Sequence, residues 1–207
     1  MKFIDLTYTL KNNIEVYPED PKFKINSIKK GTPEDSCSLY EVKGGLHSGT
    51  HIDSPYHYIL NGKKVNDLQI DSLTGKSTVL TVQNLENSKE IFIKDTDYKN
   101  TLEKIVIIKT AWADNLSKKN YFYENPYISI ELAKLLVEKN VSGVAIDTCS
   151  VDKYGESKIH KLLLKNNIWI VENLANTNKL VKNSYESYFI PMKINAEASF
   201  VRAFVKK

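Results

Sequence analysis

The feature that most constrains the fold is a set of three short apolar runs in the second half of the chain: Ile105-Val106-Ile107-Ile108, Val144-Ala145-Ile146 and Ile168-Trp169-Ile170-Val171. A strand that is apolar at every position, not at alternate ones, reads as a strand buried on both faces. The segments between the runs have helical spacing. Ser129 reads as an N-cap, with Glu131 in the first turn, Leu132, Leu135 and Leu136 on one face, and Asn140 and Gly143 closing the helix. Ser157 to Leu164 is a second amphipathic helix. Strand, helix, strand, helix, strand at this spacing is a βαβ pattern, and the fold class is α/β.

The rest of the chain reads as strand-rich. Strands are expected at 3–9, over Phe23 to Ile28 (half-buried, from its alternation), from Cys37 to Val42, from Ser77 to Val82, from Tyr188 to Ile194 and from Phe200 to Val205, with a loop at 30–36 and a turn at Asn61-Gly62. A length of 207 residues suits one mixed domain spanning 1–207. The 42% hydrophobic and 26% charged residues supply a core and a solvated surface. The net charge of +4 comes from scattered lysines without a basic block interleaved with aromatics, so nucleic acid is not an expected partner. No apolar run approaches the ~20 residues that span a bilayer, and no signal-peptide hydrophobic region follows Met1, so the expected location is the cytoplasm. Cys37 and Cys149 make no disulfide framework and read as reduced thiols.

Chemistry concentrates between Gly44 and His57. Three of the four histidines, His47, His51 and His57, lie there with Asp53. If residues 46–54 are extended, His47, Gly49, His51 and Asp53 share one face, and Gly49 leaves room for a ligand. Pro55 ends the strand and turns His57 aside. Nitrogen and oxygen donors together suit zinc or manganese. The alternative is a strand of individually satisfied histidines.

The pattern His47-x-Gly49-Thr50-His51-x-Asp53-x-Pro55-x-His57 resembles the signature of the cyclase family of metal-dependent hydrolases, which includes arylformamidases and isatin hydrolases. Weaker echoes lie at Phe3–Thr7, Tyr17–Pro21, Ile107–Trp112, Gly143–Thr148 and Val171–Leu174. Two segments depart from it: Glu19 stands where the family's Pro-Gly-Asp-Pro turn has glycine, and Asn195–Arg202 replaces a Gly-Ala-Asp-Gly segment.

The resemblance implies a β-barrel-like core with flanking helices and a homodimer or higher homo-oligomer. It also implies one or two divalent ions, zinc first and manganese second, held by His47, His51, Asp53, His160 and Glu172. His57 is then the general base and acid for hydrolysis of a small amide, with an aryl formamide as substrate or, alternatively, a cyclic amide such as isatin. A metal-binding module without turnover is the reading from a different class. Tyr56, Tyr58 and Trp112 are expected to wall an aryl group, Asp147 to orient a ligand from behind, and residues 120–126 to form either a lid or a loop packed on the core.

Overall fold

The protein is described here as a computed structural model covering residues 2–33, 36–83 and 89–207. Its strands are β1 (Phe3–Asp5), β2 (Lys24–Lys29), β3 (Leu39–Lys43), β4 (His51–Asp53), β5 (Thr74–Thr81), β6 (Glu90–Ile91), β7 (Ile105–Lys109), β8 (Tyr127–Ile128), β9 (Gly143–Ile146), β10 (Trp169–Glu172), β11 (Ser184–Pro191) and β12 (Ala198–Lys206). The helices are a single turn α1 (Ile70–Leu73), then α2 (Ile130–Glu138) and α3 (Lys158–Lys165).

Seven strands close a mixed barrel in the order β12–β11–β5–β7–β9–β10–β4 and back to β12. The segment β5–β7–β9–β10 is parallel, and the remaining pairs are antiparallel. Closure depends on the length of β12. Its first residues pair with β4 and its last with β1 on the same edge, while β11 occupies the other.

The three apolar runs form β7, β9 and β10, each buried on both faces. Ile105, Ile107, Ala145, Trp169 and Val171 point into the barrel with Ile52, Phe189 and Val205. Val106, Ile108, Val144, Ile146 and Ile170 point outward beneath Leu132 and Leu136 of α2 and Leu163 and Leu164 of α3. Ser129 caps α2 as expected, its side chain accepting from the Leu132 amide at 3.1 Å.

Some expected elements differ. The strand expected at 3–9 ends at Asp5: the Leu6 amide still donates to the Ala203 carbonyl of β12, but at Thr7 the side-chain hydroxyl replaces the backbone, donating to the Ala203 carbonyl and accepting from the Ala203 amide. The alternation over Phe23 to Ile28 does give a strand, but β2 and β3 form an isolated ribbon with Ile28, Leu39, Tyr40 and Val42 exposed. The expected 30–36 loop includes residues 34 and 35, which lie outside the described residues. The extended segment expected over 46–54 shrinks to His51–Asp53. Residues 46–50 turn, and Gly49 sits at φ 62° with Leu10 packed where a Cβ would lie, so its role is backbone conformation and not access for a ligand.

Gly143 is opposite Trp169 in the β9–β10 register, and the indole fills the space above it. A Cβ there would lie 2.0 Å from Trp169 Cε2. Trp169 is 1% exposed and anchored by Nε1 to the Ser72 carbonyl at 3.1 Å, so it has little room to move. Gly143→Ala is expected to destabilise the fold by roughly 1–3 kcal/mol through overpacking, read as a lower urea midpoint. An unchanged midpoint would contradict this packing.

Candidate active site

The antiparallel pairing of β4 with β10 sets His51 directly opposite Glu172. Because Ile52 and Val171 point into the barrel, His51, Asp53 and Glu172 face the other way, toward α3. His160 on α3 closes the group from that side. All four are buried: His51 2%, Asp53 0%, His160 5% and Glu172 4% exposed. His51 Nε2 lies 3.6 Å from Asp53 Oδ1 and 3.5 Å from Glu172 Oε2. His160 Nε2 lies 3.4 Å from Asp53 Oδ2 and 3.2 Å from Glu172 Oε1.

His47 arrives by the 46–50 turn, its Nδ1 3.0 Å from Asp53 Oδ1. His57 comes from the short 3-10 turn that Pro55 opens, and its ring centroid is 4.5 Å from that of His47 and 5.8 Å from that of His160. The structure therefore brings together every histidine and both acids of the ligand set that the resemblance implies.

Four of the five ligand candidates are held from behind. Nδ1 of His51 lies 2.9 Å from the Gly49 carbonyl, which fixes the proton there and leaves the Nε2 lone pair facing Asp53 and Glu172. The Val151 amide donates to Glu172 Oε1 at 3.0 Å. Asp152 accepts from the amides of Ile159 and His160 and takes His160 Nδ1 at 2.7 Å. It thereby does the N-terminal capping that Ser157 does not, and points His160 Nε2 at Asp53. Glu197 Oε1 stands 3.6 Å from His47 Nε2.

Electrostatics match this arrangement. Burial opposes ionisation of Asp53, but His47, His51 and His160 outweigh it and hold the carboxyl well below the usual carboxylate range. Burial likewise works against a charged His47, yet Asp53 and Glu197 push it up to about 10. Burial lowers the His57 pKa from its ordinary 6.5, so this imidazole is neutral at neutral pH and able to accept a proton.

Among the described residues, His51 Nε2 and both carboxylate oxygens of Asp53 are buried without a hydrogen-bond partner. Buried polar atoms are ordinarily paired, and three such atoms within one cluster fit a cation. The groups His51–Asp53–Glu172 and His47–Asp53–His57 each bring their donor atoms within 4.8 Å of one another. The mixture of imidazole and carboxylate donors suits a divalent ion.

The cavity in front of these residues has a volume of about 230 Å³ and is walled by Tyr17, Tyr58 and Phe122. Of the three rings expected there, Tyr58 takes its place, with its centroid 4.4 Å from His57. Tyr56 and Trp112 do not line it. Lys64 covers the Tyr56 ring at 4.8 Å, and Trp112 stacks on Tyr121 with Nε1 donating to the Tyr121 carbonyl. The 120–126 segment is a loop packed on the core, with Tyr121 at 0% and Phe122 at 8% exposed.

Asp147 does not orient a ligand. It accepts from Thr110, Ala111 and Thr177 and ties the ends of β7 and β9 together. Cys149 reaches the cavity, but burial pushes its thiol up, away from the thiolate a nucleophile needs. Tyr17, Asp152 and Glu197 were not anticipated. The one advance sign of Asp152 was its position five residues before Ser157 at the helix start.

The seven-stranded barrel and its buried imidazole–carboxylate cluster define a class: the chain belongs to the Cyclase family, whose model matches residues 4–153 and so includes the whole histidine motif. Within that class the chain is 28% identical to kynurenine formamidase of Bacillus anthracis and 29% identical to that of Bacillus thuringiensis subsp. konkukian. In both cases 99% of this chain and 97% of the relative are covered. Isatin hydrolase A from Labrenzia aggregata shares the fold at a TM-score of 0.81 and 20% identity, covering 99% of this chain and 93% of that one. A predicted metal-dependent hydrolase from Bacillus stearothermophilus does so at 0.81 and 21%, covering 99% and 97%.

Asp152→Asn replaces the charged partner of His160 Nδ1. It is expected to weaken zinc binding roughly 10–100-fold, measured by competition with a chromophoric chelator. Wild-type affinity in a folded variant would mean that Asp152 only caps the helix.

Proposed function

We propose that this chain is a metal-dependent hydrolase of aryl formamides, with N-formylkynurenine, cleaved to kynurenine and formate, as the leading substrate. The observation that carries the reading is the convergence of unpartnered His51 Nε2 and Asp53 oxygens beside a neutral histidine on a ring-lined cavity wall. The full-length similarity to kynurenine formamidases supports the choice of substrate.

His47, His51, Asp53, His160 and Glu172 would hold one or two divalent ions, zinc in the first instance and manganese in the second. Such an ion would supply Lewis acidity, lowering the pKa of water toward ~7 and polarising the formyl carbonyl. The protein's own groups do the rest. Tyr58 and the facing Tyr17 and Phe122 hold the aryl ring so that the formamide lies over the cluster. His57 takes the proton that the attacking water loses and returns it to the departing anilinic nitrogen, a role suited to an imidazole neutral at working pH. Burial of the cluster limits competing solvent.

The same reading extends to assembly. The exposed apolar residues of the β2–β3 ribbon support a homodimer, since a two-stranded ribbon needs further packing to hold its shape. No helix among the described residues is long and apolar enough to cross a membrane.

The test is hydrolysis of N-formylkynurenine before and after chelation, together with two variants. Chelation is expected to abolish turnover and added zinc or manganese to restore it. His57→Ala is expected to keep its metal and lose turnover ~100-fold or more, whereas His51→Ala loses the metal itself. Retention of metal by His51→Ala and its loss from His57→Ala would reverse the assigned roles. Metal binding with no hydrolysis of any amide would leave a binding module.

A further inference from the structure

The end of β10 puts a second polar side chain on the cavity wall. Asn173 directly follows Glu172 and lines the same cavity at 5% exposure. In a continued strand its side chain would point opposite to that of Glu172, into the barrel. The backbone instead turns left-handed at φ 57°, a conformation asparagine adopts more readily than most residues, and Asn173 joins the cavity.

Three of its four hydrogen-bonding groups are engaged. The backbone amide donates to the Thr148 carbonyl at 2.8 Å, the backbone carbonyl accepts from Thr50 Oγ1 at 2.6 Å, and Oδ1 accepts from the Tyr121 hydroxyl at 2.7 Å. Nδ2, which carries two donors, has no partner among the described residues, so the cavity is where those donors find one.

Tyr121 fixes which way the amide faces. Its ring is 0% exposed, stacks on Trp112 and meets Phe122 edge-on, and Trp112 Nε1 donates to its carbonyl at 3.1 Å. Burial pushes its hydroxyl well above the ordinary 10, so the hydroxyl stays protonated. That hydroxyl makes no other hydrogen bond among the described residues. A reversed Asn173 amide would leave its buried proton without an acceptor. The result is a donor held in advance beside a site for amide hydrolysis, which is what stabilises charge on a reacting carbonyl oxygen.

We infer that Asn173 is a catalytic residue whose Nδ2 donates to the carbonyl oxygen of the scissile amide, and that Tyr121 is the positioning residue that aims it. This rests on the amide-hydrolase reading and adds a group to it. Water adds to the formyl carbon as His57 takes its proton, and the carbonyl π pair moves onto the oxygen facing Nδ2. That pair returns to re-form the carbonyl as the C–N bond breaks and the nitrogen receives the proton from His57. The products are formic acid and the arylamine. The donor bond strengthens as the oxygen gains charge, so it acts on kcat.

The experiment measures kcat, KM and zinc content for formanilide hydrolysis by the zinc-loaded full chain, with kcat taken from the plateau of the pH profile. Formanilide is uncharged, so a new charge at residue 173 meets no charge on the substrate. Asn173→Asp keeps the left-handed backbone and the acceptor for Tyr121 but removes both donors. It preserves any purely structural role. Asn173→Gly removes the side chain without adding charge. Both are expected to lose kcat roughly 100–1000-fold, with a smaller change in KM and full zinc content. Tyr121→Phe keeps the donors but frees the amide to turn over, and is expected to lose less. If neither Asn173 variant folds, Tyr121→Phe decides, and an unchanged kcat there overturns the inference. Wild-type kcat in either Asn173 variant overturns it as well. So does a KM rise at constant kcat, which makes Asn173 a ground-state binder, or a loss of zinc that matches the fall in rate, which makes it a support for Glu172. Each of these leaves the amide-hydrolase reading in place. No hydrolysis of formanilide or N-formylkynurenine by the zinc-loaded wild type overturns both.

Discussion

Two carboxylates buried against the outer wall of the barrel set the terms for this molecule. Asp53 and Glu172 are at most 4% exposed, and Asp53 accepts no hydrogen bond among the described residues. A buried carboxylate without compensation costs several kcal/mol, so the fold must offset the pair. Imidazoles approach it to 3.0–3.6 Å from three separate segments. A cluster of mutually repelling acids and neutralising histidines is costly as a structural device. It becomes reasonable if a divalent ion sits at its centre.

The barrel exists in the form needed to build that cluster. Closure requires β4 to bridge β10 and β12, and this bridging brings the histidine motif against Glu172. The helix layer on the outside then contributes His160, and Asp152 links the start of α3 to the imidazole. The apolar interior holds Ile52 and Val171, which fixes the opposite faces of the same two strands toward the site. Core and chemistry therefore occupy the two sides of one strand pair.

Much of this was legible in the chain because the signals were local. The runs that became β7, β9 and β10 were readable since double-sided burial leaves no polar alternation. His51 and Asp53 shared a face through the period of a strand, and the long motif identified the family. What failed was non-local. Gly49 had to turn under Leu10, so the extended segment could not include His47, which nonetheless arrives by the turn. The alternation of Phe23 to Ile28 was real but met the core only at Phe23. Tyr17 and Glu197 join the site through tertiary contacts with no sequence spacing to betray them, and Asp152 had only its place ahead of the α3 start. Trp112 looked available at a strand end, yet its indole had a partner in Tyr121. Asp147 likewise looked like a supporting acid and proved to be a clamp between strand ends.

The central claim is that the buried cluster holds a divalent ion. It is tested most directly by elemental analysis of the purified protein, combined with a thermal melt with and without chelator. One or two equivalents of zinc or manganese, with a melting temperature that falls on chelation and recovers when the ion is returned, is the predicted result. Protein free of bound metal, whose melting temperature does not respond to zinc or manganese at any ratio, would show that Asp53 and Glu172 are neutralised by the histidines alone.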